Sequence, residues 1–145
     1  MNVKEIMTEN PICCTAATSL EEVARMMVEN DCGAIPVVED QEGWKPIGII
    51  TDRDITTRAV AEGRNPLELS AGDIMTPSPV TVGPDTAVEE CESLMETHQL
   101  RRILVVDSDG GCCGIVSLAD IARNAPESHT AEVVEEVSKP AGGGL

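Results

Sequence analysis

Gly48-Ile49-Ile50-Thr51-Asp52-Arg53-Asp54 and Gly114-Ile115-Val116-Ser117-Leu118-Ala119-Asp120 are two versions of one pattern: an apolar, β-branched stretch, then a hydroxyl residue with a carboxylate three positions on. Such a stretch reads as a strand, and Ser or Thr followed at the third position by an acid is the signature of a helix start. The carboxylates lie 120 − 54 = 66 positions apart. Further upstream, Ile35-Pro36-Val37-Val38-Glu39 falls on Ile103-Leu104-Val105-Val106-Asp107, and Ile6-Met7-Thr8 on Ile74-Met75-Thr76, at an offset of 75 − 7 = 68. Pro11 and Thr18 map onto Pro79 and Thr86 at that same offset, and the register slips by two in the turn that carries Trp44. An internal duplication accounts for the whole series.

Each copy reads as β-α-β-β-α. A short strand follows a proline (residues 12–14 and 80–82), and a helix follows with one apolar face: Leu20, Val23, Ala24 and Met27, or Val88, Cys91 and Met95. Thr18 with Glu21, and Thr86 with Glu89, have capping-box spacing and predict where those helices begin. Residues 35–38 and 103–106 are apolar throughout, as strands covered on both faces are. Gln41-Glu42-Gly43 and Ser108-Asp109-Gly110-Gly111 supply turns, residues 47–50 and 113–116 return as strands, and the last helices start at Thr51 and Ser117. The boundaries expected are repeat one at 3–62, a linker at 63–70, repeat two at 71–124 and an acidic, glycine-rich tail at 125–145. A three-stranded sheet with so little cover cannot bury both faces alone, so the expected fold is mixed α/β (α+β), two repeats packed sheet to sheet with pseudo-twofold symmetry and a ligand cleft between them.

Ten Lys and Arg against 26 Asp and Glu give a net charge of −16, which repels nucleic acid and anionic membranes over most of the surface. No apolar run is long enough to span a bilayer, and the acidic N-terminus does not resemble a secretory leader, so a cytoplasmic location is expected. Trp44 is the only aromatic residue, which removes base-stacking platforms and leaves aliphatic side chains and backbone to sandwich any adenine ring. An anionic ligand therefore needs a local exception to the field, such as Arg101-Arg102 or a helix start, where a hydroxyl and backbone N–H groups face phosphate and a carboxylate one turn on faces a ribose diol.

The Met-Thr-x-x-Pro openings, Ile-Pro-Val-Val (35–38), Arg-Arg-Ile-Leu-Val-Val-Asp (101–107) and the two strand-to-helix steps resemble, in their order twice over, paired CBS domains across residues 3–124. The resemblance implies a Bateman module, commonly a disc-shaped homodimer, that binds AMP, ADP, ATP or S-adenosylmethionine in one or two clefts between the repeats. It implies a main cleft with Ser117 and Arg102 toward phosphate, Asp120 toward ribose, and Ile12, Gly33 and Ala34 around adenine. A mirror cleft would use Thr51, Asp54 and Val80. There the counterpart of Arg102 is Ala34, so Arg53 is the candidate substitute; its plain alternative is a solvated surface cation. The plain alternative for both Thr/Ser-x-x-Asp steps is that they only cap helices.

Six cysteines, Cys13-Cys14, Cys32, Cys91 and Cys112-Cys113, have neither zinc-finger spacing nor the look of a secreted disulfide framework, and read as packing residues. His98 and His129 have no nucleophile near them in sequence, and no hydrolase, metalloprotease or P-loop motif occurs. No catalytic residue, metal ligand or required cofactor is expected. The expected function is a regulatory sensor of an adenine nucleotide that signals to an effector protein by changing shape. The alternatives are a structural dimer with vestigial clefts and a thiol or metal sensor.

Overall fold

The computed structural model describes residues 1–124; the expected tail and His129 lie outside the described residues. Along the chain run a 3-10 turn (Val3–Glu5), β1 (Thr8–Glu9), β2 (Cys14–Thr15), α1 (Leu20–Glu29), β3 (Ala34–Val38), β4 (Pro46–Thr51) and α2 (Asp52–Ile55). A π-helical turn (Thr56–Val60) continues α2, and a 3-10 turn (Pro66–Glu68) leads to α3 (Ala71–Ile74). Then come β5 (Thr76–Pro77), β6 (Thr81–Val82), α4 (Val88–His98), β7 (Arg102–Val106), β8 (Cys112–Ser117) and α5 (Leu118–Asn124). Both repeats thus carry the expected mixed architecture, with first strands shorter than expected and set toward the C-terminal end of the predicted stretches.

Two compact units form, and they are not the two sequence copies. Among the described residues, one comprises 10–79 with 108–112, and the other comprises 1–9, 80–107 and 113–124. In the first, the sheet order is β2-β3-β4-β5: β2 runs parallel to β3, as a helical crossover requires, and β4 is antiparallel to both β3 and β5. In the second the order is β1-β8-β7-β6, with β1 antiparallel to β8 and β6 parallel to β7. Each sheet therefore has four strands rather than three. The additional one is the Met-Thr segment that opens the other copy.

This exchange is built from paired hydrogen bonds that repeat at the duplication offset. Val3 N–H donates to Thr86 O and Ala71 N–H to Thr18 O, each at 2.8 Å, while Val88 N–H reaches Met1 O at 3.0 Å and Leu20 N–H reaches Leu69 O at 2.9 Å. The cores follow suit. Val3 and Ile6 pack with Val88, Cys91, Met95, Ile103, Val105 and Ile121, whereas Ala71 and Ile74 pack with Leu20, Val23, Met27, Ile35, Val37 and Ile50. Left-handed backbone also repeats: Asn10 with Ser78 (φ 47° and 51°), Asp31 with Gln99 (48° and 52°), and Trp44 with Gly110 (57° and 85°). Turn geometry, more than residue identity, has been kept between the copies.

The helix starts at Thr18 and Thr86 are corrected by one residue. Ser19 caps α1, its hydroxyl accepting Glu22 N–H at 3.2 Å, and Ala87 stands at the cap of α4 with no side-chain bond. The threonines face the other way: Thr18 Oγ1 accepts Thr15 N–H and Thr86 Oγ1 accepts Gly83 N–H, both at 3.1 Å, closing the turn before each helix. With two hydroxyls adjacent, the one whose backbone is extended at the junction takes the cap. Ser19→Ala is expected to lower the unfolding free energy by about 1 kcal/mol, and Glu21→Ala, which closes no box, by under about 0.5 kcal/mol, measured by urea unfolding. Equal losses would restore the Thr18–Glu21 box.

Candidate functional site

The two hydroxyl-carboxylate steps have one geometry. In the unit of residues 10–79, Thr51 N–H donates to Asp54 Oδ2 at 2.9 Å and Asp54 N–H to Thr51 Oγ1 at 3.1 Å. In the other, Ser117 N–H donates to Asp120 Oδ2 at 2.9 Å and Asp120 N–H to Ser117 Oγ at 3.2 Å. Both carboxylates are buried, Asp54 at 2% and Asp120 at 4% exposure, so both steps are capping boxes set into the fold.

Their remaining oxygens meet two arginines that are not among the residues expected at the site. Asp54 Oδ1 lies 3.7 Å from Arg58 Nε, and Asp120 Oδ1 pairs with Arg123 Nη2. Arg58 also donates to Ile74 O and Met75 O at 3.2 Å each, tying the helix that follows Thr51 to the end of α3. The signal was present as a basic residue three or four positions after each buried acid, on the same helical face. Arg53 itself is exposed, and its backbone N–H donates to Asp52 Oδ1 at 2.8 Å.

The expectation that open backbone N–H groups face phosphate is corrected at α2. Asp52 N–H donates to Gly33 O at 3.0 Å, Arg53 N–H to Asp52 Oδ1, and Asp54 N–H to Thr51 Oγ1. At α5, Leu118 N–H donates to Arg101 O at 3.0 Å, the equivalent of the Asp52–Gly33 bond. These two bonds dock each helix start on the entrance of its neighbouring strand. Gly33 and Ala34 thereby come beside Thr51, with Ala34 directly opposite it in the β3–β4 register. The carbonyl of Arg101, with half-buried Arg102 next in the chain, comes to the start of α5. The hydroxyl hydrogens of Thr51 and Ser117 remain for a ligand, and Arg102 stands at the position that Ala34 holds in the first copy.

Of the other candidates, Ile12 is exposed ahead of β2, and half-buried Val80 gives its carbonyl to Leu104 N–H at 3.4 Å. Ser117, Asp120, Arg102 and Val80 thus belong to one unit, and Thr51, Arg53, Asp54, Ile12, Gly33 and Ala34 to the other. Cys14 and Cys91 are buried in the two cores, and burial pushes each thiol up to about 11. Among the described residues no group of three His, Cys, Asp or Glu is placed to hold a metal, and no helix is long and apolar enough to cross a membrane.

The profile of the CBS domain matches residues 3–60 and 71–127. Hypoxic response protein 1 of Mycobacterium tuberculosis is 34% identical over 137 residues, 94% of each chain. A crystal structure of hypoxic response protein I holds two coordinated zinc ions and superposes with a TM-score of 0.76 at 32% identity, covering 87% of this chain and all of that one. CBSX2, a CBS-pair protein of Arabidopsis thaliana, solved in complex with AMP, is 26% identical with a TM-score of 0.71, over 88% of this chain and 98% of that one. The CBS domain pair of protein MJ0100, solved with 5-methylthioadenosine and S-adenosyl-L-methionine, is 29% identical with a TM-score of 0.75, over 85% and 98%. Two profile matches, on a fold whose cores, strand-to-helix caps and turns repeat between the copies, place this chain in the CBS domain family as a pair of CBS repeats.

Proposed function

We propose that this chain is a regulatory module that binds an adenine nucleotide or a related adenosyl compound and transmits the binding to an effector protein as a change in shape, without catalysing a reaction. The carrying observation is the asymmetry of two otherwise equivalent steps: the residue opposite Thr51 is Ala34, and its counterpart in the second copy is Arg102. Ser117 and Arg102 would take the phosphate, Asp120 the ribose, and Ile12, Gly33 and Ala34 the adenine. Thr51, Asp54, Val80 and Arg53 would form a weaker mirror site, suited to a ligand with less anionic charge. The AMP, methylthioadenosine and S-adenosylmethionine held by similar CBS pairs support the ligand class. A homodimer in the cytoplasm completes the proposal.

A second reading, a structural dimer with vestigial sites, is favoured by one observation: Asp54 and Asp120 are each committed to a helix cap and an arginine. Calorimetric titration with AMP, ATP, S-adenosylmethionine and NAD separates the two. Saturable binding that Asp120→Asn weakens is expected of the sensor. Absence of binding by all four, from protein that is folded and dimeric, would leave the scaffold.

A further inference from the structure

Cys13 stands just before β2, and Cys112 opens β8, 99 positions later (112 − 13), yet the segment 108–112 belongs to the same compact unit as residues 10–79. A backbone bond fixes it there. Cys112 N–H donates to Trp44 O at 2.7 Å, and Trp44 is itself held in the left-handed region at φ 57° by the turn its N–H closes on Asp40 O. On the other side, the Cys13 thiol bonds to Pro11 O at 3.3 Å and lies in hydrogen-bond contact with the Cys112 thiol. Both cysteines are only half-buried. Their vicinal neighbours are set apart by strand alternation: Cys14 points into the core and pairs in register with Val37.

We propose that Cys13 and Cys112 are a reversible dithiol–disulfide pair, oxidised within one chain by a small-molecule disulfide. The contact with Cys112, together with burial, holds Cys13 protonated well above the ordinary thiol range, which suits it to the second, resolving step. The Cys112 thiolate attacks one sulfur of the small disulfide, forming a mixed disulfide and expelling one thiolate, which takes up a proton. Cys13 then gives up its proton and attacks the Cys112 sulfur, closing the protein disulfide and releasing the second small thiol. Two protein thiols are oxidised and one small disulfide is reduced to two thiols. The bond ties the residue after Ile12 to the start of β8, so the backbone leading into β2 is held to the 108–112 turn.

The test is oxidation of the reduced, folded protein by oxidised glutathione, followed by trypsin digestion without reductant. Cleavage leaves Cys13 and Cys14 in peptide 5–25 and Cys112 and Cys113 in peptide 103–123. Those two peptides are expected to travel as one cross-linked species from monomeric chains, with the intact mass lower by two hydrogens. Cys13→Ser and Cys112→Ser should each abolish the species, and Cys14→Ser and Cys113→Ser should leave it. Cys13→Ser should instead accumulate a glutathione adduct at Cys112, and disulfide closure should be lost by more than about tenfold in either pair variant. A wild-type protein that gives only glutathione adducts or cross-links between chains overturns the proposal without recourse to any variant. So does a 5–25/103–123 cross-link that survives Cys13→Ser.

Discussion

Arg102→Ala is expected to weaken AMP binding by about 10- to 100-fold, the 1.5–3 kcal/mol that a hydrogen bond to a charged partner supplies, and to leave adenosine binding unchanged. The split matters because the proposed contact is to phosphate alone. Arg102 enters none of the ion pairs formed among the described residues, and its side chain is half-buried at the start of β7. Removing it should therefore shift the urea midpoint little, with a loss of unfolding free energy below about 0.5 kcal/mol. Asp120→Asn is a different kind of change. That carboxylate accepts Ser117 N–H and pairs with Arg123 while 4% exposed, so its loss should cost about 1–3 kcal/mol of stability as well as affinity. Equal losses of AMP and adenosine affinity in Arg102→Ala would take Arg102 away from the phosphate.

Much of this arrangement was legible in the chain, for reasons that differ by element. β3 and β7 were visible because they are covered on both faces, which demands near-continuous apolar runs. The Thr51 and Ser117 caps were visible because one hydroxyl and one carboxylate at fixed spacing suffice. The start of α1 was missed by a residue because Thr18 and Ser19 both offer a hydroxyl, and only backbone dihedrals choose between them. The exchange of opening segments was hidden more deeply. β1 and β5 are two residues long, too short to show any period, and nothing local says which sheet will accept them. Arg58 and Arg123 were less legible, because a pattern of cations facing a ligand does not include the one that a buried carboxylate first needs from its own helix. The Cys13–Cys112 contact has no sequence signature, since it depends on the fold bringing residues 108–112 to the other unit.

That exchange rests on two glycines, and they should respond unequally to the same substitution. In an open strand position Gly→Ala stabilises by about 0.5–1 kcal/mol, because glycine loses more backbone freedom on folding. Gly48 faces Pro77 in the β4–β5 register, and a Cβ there would lie 2.6 Å from Met75 Sδ and 2.9 Å from Thr76 O. The thioether can swing away, but Thr76 O is backbone within a strand that pairs with Ile49. Gly48→Ala must therefore push β5 off the sheet edge, and a net loss of about 2–3 kcal/mol is expected. At Gly114 the nearest atoms are all side-chain atoms of Met7, Sδ closest, with Cγ at 3.0 Å and Cε at 3.2 Å. Methionine is unbranched and can repack, so Gly114→Ala should cost about 1 kcal/mol or less. Second-site changes separate the causes. Met7→Ala should relieve the strain of Gly114→Ala, so that the double variant loses less than the two single losses added together. Met75→Ala should give no such relief to Gly48→Ala, because the carbonyl stays where it is. Urea unfolding of the four single and two double variants reads both coupling energies, and relief of Gly48→Ala by Met75→Ala would show that side-chain packing, not the backbone of β5, holds the exchanged strand in place.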